Sequence, residues 1–436
     1  MVPVYLTAAA VLTAHGGSID VIWPLILERT AAFTDLGAGI SAAMPPRSWF
    51  GGVDLNHLAT PEAAIITDST GAVTPTDVTA RLALRLTDDI ITATDQRLLQ
   101  ATVPTGIFLS SVFGSLEFAQ RELAHQTEAV ASEANLYQSF ACFYGANTSV
   151  ISNHYHLRGP SGSVVSESCG GMDAIGLGWV ETASTGSVMI CGACDGSLSP
   201  LGLASVFTGG GSVLPPGSEP EQFAPYGRQT IGFIPALGGA LVALETRPEP
   251  FRVAGHEAVI QVMAQESGYS SGHSVAELSY LIRRVLRQAD IGLADIGVCF
   301  GNGAGVRAID SWEAQALVDV FGPKLPPLAV PKTGFGRAYA ATSAIDVGLA
   351  AACLATGLIP PVARGHEPDD TGPVAAQVVR EPTALRRDQA LVVNVSENGF
   401  MSALVLGRSQ PTANRKPSRG TNGGKTSSAT TLRGDA

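Results

Sequence analysis

Val165-Ser166-Glu167-Ser168-Cys169-Gly170-Gly171-Met172-Asp173 is the stretch that decides the fold. It sets a hydroxyl and a thiol, Ser168 and Cys169, at the mouth of a helix read over Ala174–Thr182. A helix N-terminus favours an anion, so a cysteine in such an elbow can be activated. Neighbouring positions at a helix entrance differ by about 100°, so only one of the two can face an active pocket. Small residues in this helix, and in another read over Ile345–Thr356, suit close packing between sheets. Val188–Ile190, Ala240–Leu244, Val298–Phe300 and Leu391–Val395 read as strands, and Leu116–Ala124 and Val275–Gln288 as further helices. This alternation predicts an α/β chain with largely buried sheets.

The 436 residues are 45% hydrophobic, enough for a large core, yet only 15% charged. So few charges imply surface hidden against another subunit. A net charge of −11 excludes a nucleic-acid binder, which needs a basic stripe to neutralise phosphates. Five basic residues and one acid fall in the last 26 residues, so the rest of the chain carries −15. Six scattered cysteines (142, 169, 191, 194, 299 and 353) do not suggest a disulfide scaffold. Cys191 and Cys194 form a C-x-x-C without a second pair and directly follow the apolar Val188-Met189-Ile190, so they read as core. His154 and His156 lack a nearby carboxylate or cysteine, and no metal site or cofactor is expected. The apolar N-terminus lacks a basic n-region and reads as a buried first strand. Val347–Leu358, the longest apolar run, is too short to span a bilayer, so a cytoplasmic protein without a membrane partner is expected.

Several motifs then converge. The elbow is joined by Tyr137-Gln138-Ser139-Phe140-Ala141-Cys142-Phe143-Tyr144-Gly145-Ala146-Asn147-Thr148, by Gly114–Leu123 and by Gly301-Asn302-Gly303-Ala304-Gly305-Val306. Lys332-Thr333-Gly334-Phe335-Gly336-Arg337 and Asn398-Gly399-Phe400-Met401-Ser402-Ala403 complete the set. Together they resemble the β-ketoacyl synthases, and most of all the chain length factor, the non-condensing subunit of type II polyketide synthases. The resemblance implies a thiolase-like five-layered αβαβα sandwich built from two duplicated halves. We place the halves at 1–248 and 249–409, meeting at Pro248-Glu249-Pro250, and expect a disordered tail over 410–436.

By the same resemblance, Ser168 stands at the nucleophile position, and Asn302 and Arg337 stand at the two histidine positions. Claisen condensation needs a thiolate to hold the acyl chain and two groups that polarise the malonyl thioester. Ser168 has no base beside it, Asn302 cannot shuttle a proton, and Arg337 stays protonated. No catalytic residue for condensation is therefore expected. Arg337 either binds a carboxylate or phosphate, or fills the vacant pocket by pairing with Asp310 or Glu313; the second reading is favoured. Chain length factors commonly carry glutamine at the elbow, and the family's Gly-Glu-Gly-Ala is Leu237-Gly238-Gly239-Ala240 here.

The resemblance further implies a heterodimer with a ketosynthase α subunit and an acyl carrier protein as second partner. The strand before the elbow (Ser163, Val164, Val165, Ser166 and Glu167) would continue one sheet into the partner. Phe108, Leu109, Val112 and Phe113 would line or gate the acyl tunnel and so set product length. The alternative is an enzyme, a free-standing ketosynthase-like acyltransferase or malonyl decarboxylase using Ser168 or Cys169.

Overall fold

A computed structural model describes residues 2–37, 44–54, 58, 65–67, 73–75, 77–100, 102–120, 144–208 and 212–409. The expected tail from 410, Cys142, and the parts of the family-like motifs between 121 and 143 lie outside the described residues. The main strands are β1 (Val4–Leu12), β2 (Thr105–Ser110), β3 (Ser161–Val164), β4 (Val188–Asp195), β5 (Gly238–Glu245) and β6 (Phe251–Val253). They continue with β7 (His256–Tyr269), β8 (Ile296–Phe300), β9 (Leu328–Ala329), β10 (Gln389–Val395) and β11 (Phe400–Ser409). The helices are α1 (Ile19–Leu27), α2 (Val78–Ala93), α3 (Ala146–His154), α4 (Gly170–Thr185), α5 (Pro200–Thr208), α6 (Val275–Gln288), α7 (Arg307–Phe321) and α8 (Ala340–Thr356).

The strand order β9-β8-β10-β11-β7-β1-β5-β4-β2-β3, with β6 added on β7, contains its own duplication. From its outer edge inward, the first half runs β3-β2-β4-β5-β1 and the second β9-β8-β10-β11-β7. Each is the third, second, fourth, fifth and first strand of its own set. In both, the outer two pairings are parallel and the inner two antiparallel. The halves join where β1 pairs antiparallel with β7, Val4 opposite Val262.

Layering follows from side-chain alternation. On β10, Ala390 and Val392 face an inner core, while Leu391, Val393 and Val395 face the outer one. Helices α2 and α3 cover the outer face of the first half, and α6 and α7 that of the second. Between the halves lie α4 and α8, touching strands of both, which gives five layers. Small residues make that middle layer possible. A Cβ on Gly171 would sit 2.7 Å from the Ala340 carbonyl oxygen, and one on Gly178 would sit 2.2 Å from Cys191 Sγ.

Candidate functional site

Strand β3 ends at Val164, and the chain then bends through Val165 and Ser166 into a 3-10 turn over Glu167–Cys169. The expected interface strand over Ser163–Glu167 is therefore shorter at its C-terminal end and begins earlier, at Ser161. The reason is the entry to α4: Glu167 adopts φ 49°, and Ser166 Oγ donates to Asp173 Oδ2 at 2.5 Å instead of continuing a ladder. Ser168 emerges on a cavity of about 220 Å³ lined with Val112, Phe233, Arg337, Tyr339 and Glu397. Its hydroxyl donates to the Val395 carbonyl at 3.1 Å, which gives it an acceptor but no base. Cys169 points the other way, fully buried, with Sγ 3.4 Å from the Asn394 carbonyl. Burial pushes its thiol well above the ordinary range, and the nearby Asp173 and Glu167 carboxylates push it further.

Asn302 and Arg337 meet. Arg337 Nη2 donates to Asn302 Oδ1 at 3.1 Å, and Nη1 reaches the Asn302 carbonyl at 3.4 Å. The guanidinium carbon also lies 5.4 Å from the centre of the Phe233 ring, a cation–π contact. Arg337 thus binds Asn302 and does not pair with Asp310 or Glu313, the partners expected for it. Those carboxylates are taken by the loop that carries Asn302. Glu313 Oε1 accepts from Asn302 N at 2.7 Å, and its Oε2 from Tyr226 OH at 2.7 Å and Gly303 N at 3.2 Å. Asp310 accepts from Tyr226 N at 3.0 Å and Gly305 N at 3.2 Å. Burial raises both acids, Asp310 to about 7.

Lys332 completes the floor. Its ammonium lies 2.6 Å from Asp346 Oδ2 and donates to the carbonyls of Gly301 at 2.6 Å and Asn302 at 2.9 Å. Both partners of the pair are fully buried, and desolvation lowers the lysine while raising the aspartate. Glu313, Asp310 and Lys332 are therefore all engaged in holding the backbone of the loop that carries Asn302. Among the described residues, no cluster of three or more His, Cys, Asp or Glu is arranged to hold a metal ion.

The tunnel candidates divide between two faces. Phe108 and Val112 pack towards the inner core, and Phe108 lies against Gly162 of β3. Phe113 is half-buried, its ring edge-on to Tyr339 with centroids 4.8 Å apart. Leu109 does not join them. The period of two along β2 turns it into the outer core beneath α2, where it supports the sheet. Sequence reasoning missed Tyr226, Phe233, Tyr339, Asp195 and Asp346. The last two carried a signal, a lone carboxylate inside or just after an apolar run.

Comparison with known proteins places this geometry. Residues 1–249 match the family described as "Beta-ketoacyl synthase, N-terminal domain", and residues 258–366 match its "C-terminal domain". The chain belongs to the β-ketoacyl synthase family. Its relatives include subunits of polyketide synthases. The chain is 33% identical over 320 residues to the tetracenomycin polyketide synthase ketoacyl synthase beta subunit of Streptomyces glaucescens, covering 70% of this chain and 75% of that one. It is 32% identical over 313 residues to the actinorhodin polyketide putative beta-ketoacyl synthase 2 of Streptomyces coelicolor, covering 70% and 76%. Among solved structures, the fold is similar to a type II polyketide synthase acyl-carrier protein in complex with its ketosynthase bound to the hexaketide, with TM-score 0.78 and 16% identity over 94% of this chain and 99% of that one. The ishigamide ketosynthase/chain length factor matches with TM-score 0.76 and 16% identity, at the same coverage of both chains.

Proposed function

We propose that this chain is the chain length factor, the non-condensing subunit of a heterodimeric type II polyketide β-ketoacyl synthase. The observation that carries the reading is the Asn302–Arg337 pair. At the two positions where condensation requires proton-handling imidazoles, the chain has an amide and a permanent cation bound to each other. Ser168 itself donates to a backbone carbonyl, and among the described residues no histidine lines its cavity to take its proton. Condensation then falls to a ketosynthase α subunit, and the extender unit arrives on an acyl carrier protein.

The edge of the sheet supports the heterodimer. Strand β3 pairs parallel with β2 on one side and, among the described residues, is the last strand of the sheet on the other, an edge open to a partner strand. In this reading Phe108, Val112 and Phe113 wall the acyl tunnel, which their position on and just after β2 supports, while Leu109 braces the strand from behind. We set the seam of the two halves at Pro248-Glu249-Pro250 and place the complex in the cytoplasm. None of the described helices is long and apolar enough to cross a membrane.

Intact-mass measurement after incubating the reconstituted complex with acyl- and malonyl-loaded carrier protein tests the assignment. The acyl adduct is expected on the α subunit. An adduct on Ser168 or Cys169 of this chain, formed without a partner, would instead establish the acyltransferase or decarboxylase reading.

A further inference from the structure

Tyr339 holds a backbone that belongs to glycine. At the N-cap of α8 it adopts φ 46° and ψ −120°, the geometry of the first central residue of a type II′ turn. A bulky residue there is strained, and such strain persists only where the surroundings over-determine it. They do so here. The Tyr339 ring stands edge-on to Phe113, centroids 4.8 Å apart at 82°, and edge-on to Phe233 at 6.0 Å and 79°. The buried Asp195 carboxylate fixes the backbone on both sides of this contact. One oxygen accepts from Ser111 Oγ at 3.0 Å and Phe113 N at 3.1 Å. The other accepts from Val112 N at 2.8 Å and Ala340 N at 3.0 Å. A single side chain thereby ties the loop that presents Phe113 to the residue that follows Tyr339.

From this clamp and stack we infer that Tyr339 is a positioning residue for product length: its ring backs Phe113 and holds that side chain against the acyl tunnel. The inference rests on the reading of this chain as the tunnel-shaping subunit. Removing the Tyr339 ring leaves a void behind Phe113, into which Phe113 can retreat, deepening the tunnel without any lost contact to the acyl chain. The hydroxyl plays no part in this, since the edge-on contact is made by the ring.

The test uses the full complex, assembled from the α subunit, acyl carrier protein and this chain as wild type, Y339F, Y339A, Y339G, F113A or Y339A/F113A. Products are sized by mass spectrometry and complex stability is followed by melting temperature. Y339F is expected to leave lengths unchanged. Y339A and Y339G are expected to raise the ratio of over-length to native-length product about tenfold, the scale of one aromatic pair lost. In the F113A background, Y339A is expected to add nothing, because both act through one ring. Glycine accepts the backbone angle without strain, so Y339G keeps the test alive if Y339A folds poorly. Unchanged lengths in both single variants, with or without lower yield, would overturn the inference. An equal further shift in the F113A background would also overturn it, since Tyr339 would then act independently of Phe113. Failure of the wild-type chain to join the α subunit would instead sink the functional reading.

Discussion

Asn302 and Arg337 behave as one unit, and its chemistry is that of a seal. The guanidinium gives Asn302 a partner on both its side chain and its carbonyl, while Lys332 holds the same carbonyl from below. Against this background Ser168 is isolated, and Ser168→Ala is expected to leave product formation by the complex within a few-fold of wild type. A loss beyond about 10³-fold, the scale of removing an essential catalytic group, would overturn the non-condensing assignment. Asp310 makes a second expectation at this scale. Burial raises it from 3.8 to about 7, so the folded chain holds a proton that the unfolded chain has already released. Its contribution to stability is full below the unfolded value and is lost as pH rises through about 7. Asp310→Asn carries no such proton, so the fall in melting temperature between about pH 5 and about pH 8 should be shallower than in wild type. Equal slopes would show that Asp310 is not the titrating group. Ser168, Asn302 and Arg337 were legible because each sits inside a motif of fixed spacing. Arg337's true partners were not, since Phe233 and Asn302 reach it from two distant segments, and the acids that seemed natural partners were bound by backbone amides.

Elements were most legible where one face alone is buried. Helix α6 spans Val275–Gln288 as read from its pattern, and Ser274 accepts from Glu277 N at 3.4 Å to start it. The buried helix α8 was read five residues short, since it is apolar on every side and begins on Tyr339 without a side-chain cap. Strand β3 was read two residues late at its start and three too far at its end, because the elbow's bend is a backbone demand that residue types there do not announce. Its actual span sharpens the interface prediction. Ile107 N donates to Pro160 O, so alternation along β3 turns the amides of Ser161 and Ser163 to the open edge. Ser163→Pro removes one such amide at a place where an edge strand tolerates proline. Co-purification with the α subunit should therefore be lost while the total amount of this chain, soluble and insoluble together, stays at the wild-type level. A variant that still co-purifies at wild-type yield would mean that β3 is not the interface strand.

At the scale of the whole molecule, the duplicated strand order leaves each half with a different fate. The second half is capped at its edge by the short β9 and covered by α6 and α7, whereas the first ends on the four-residue β3, whose outer ladder side is unmatched among the described residues. Apolar side chains in the stretch that follows β3 are exposed: Val165 is 50% exposed, and Leu177 and Val180 on α4 are 49% and 51% exposed. With only 15% charged residues to oppose association, an open edge and exposed apolar groups are a recipe for aggregation. The low charge was plain in the sequence, but the exposure was not, since Leu177 and Val180 lie in a helix whose composition reads as wholly buried. Expressed alone, this chain should accumulate mainly in the insoluble fraction, and co-expression with its ketosynthase α subunit should move it to the soluble one. Gel filtration should then return both chains in a single peak, since the partner that covers the edge also covers the apolar groups. The heterodimer reading would be abandoned if the chain alone ran as a soluble monomer whose melting temperature did not move on adding the α subunit.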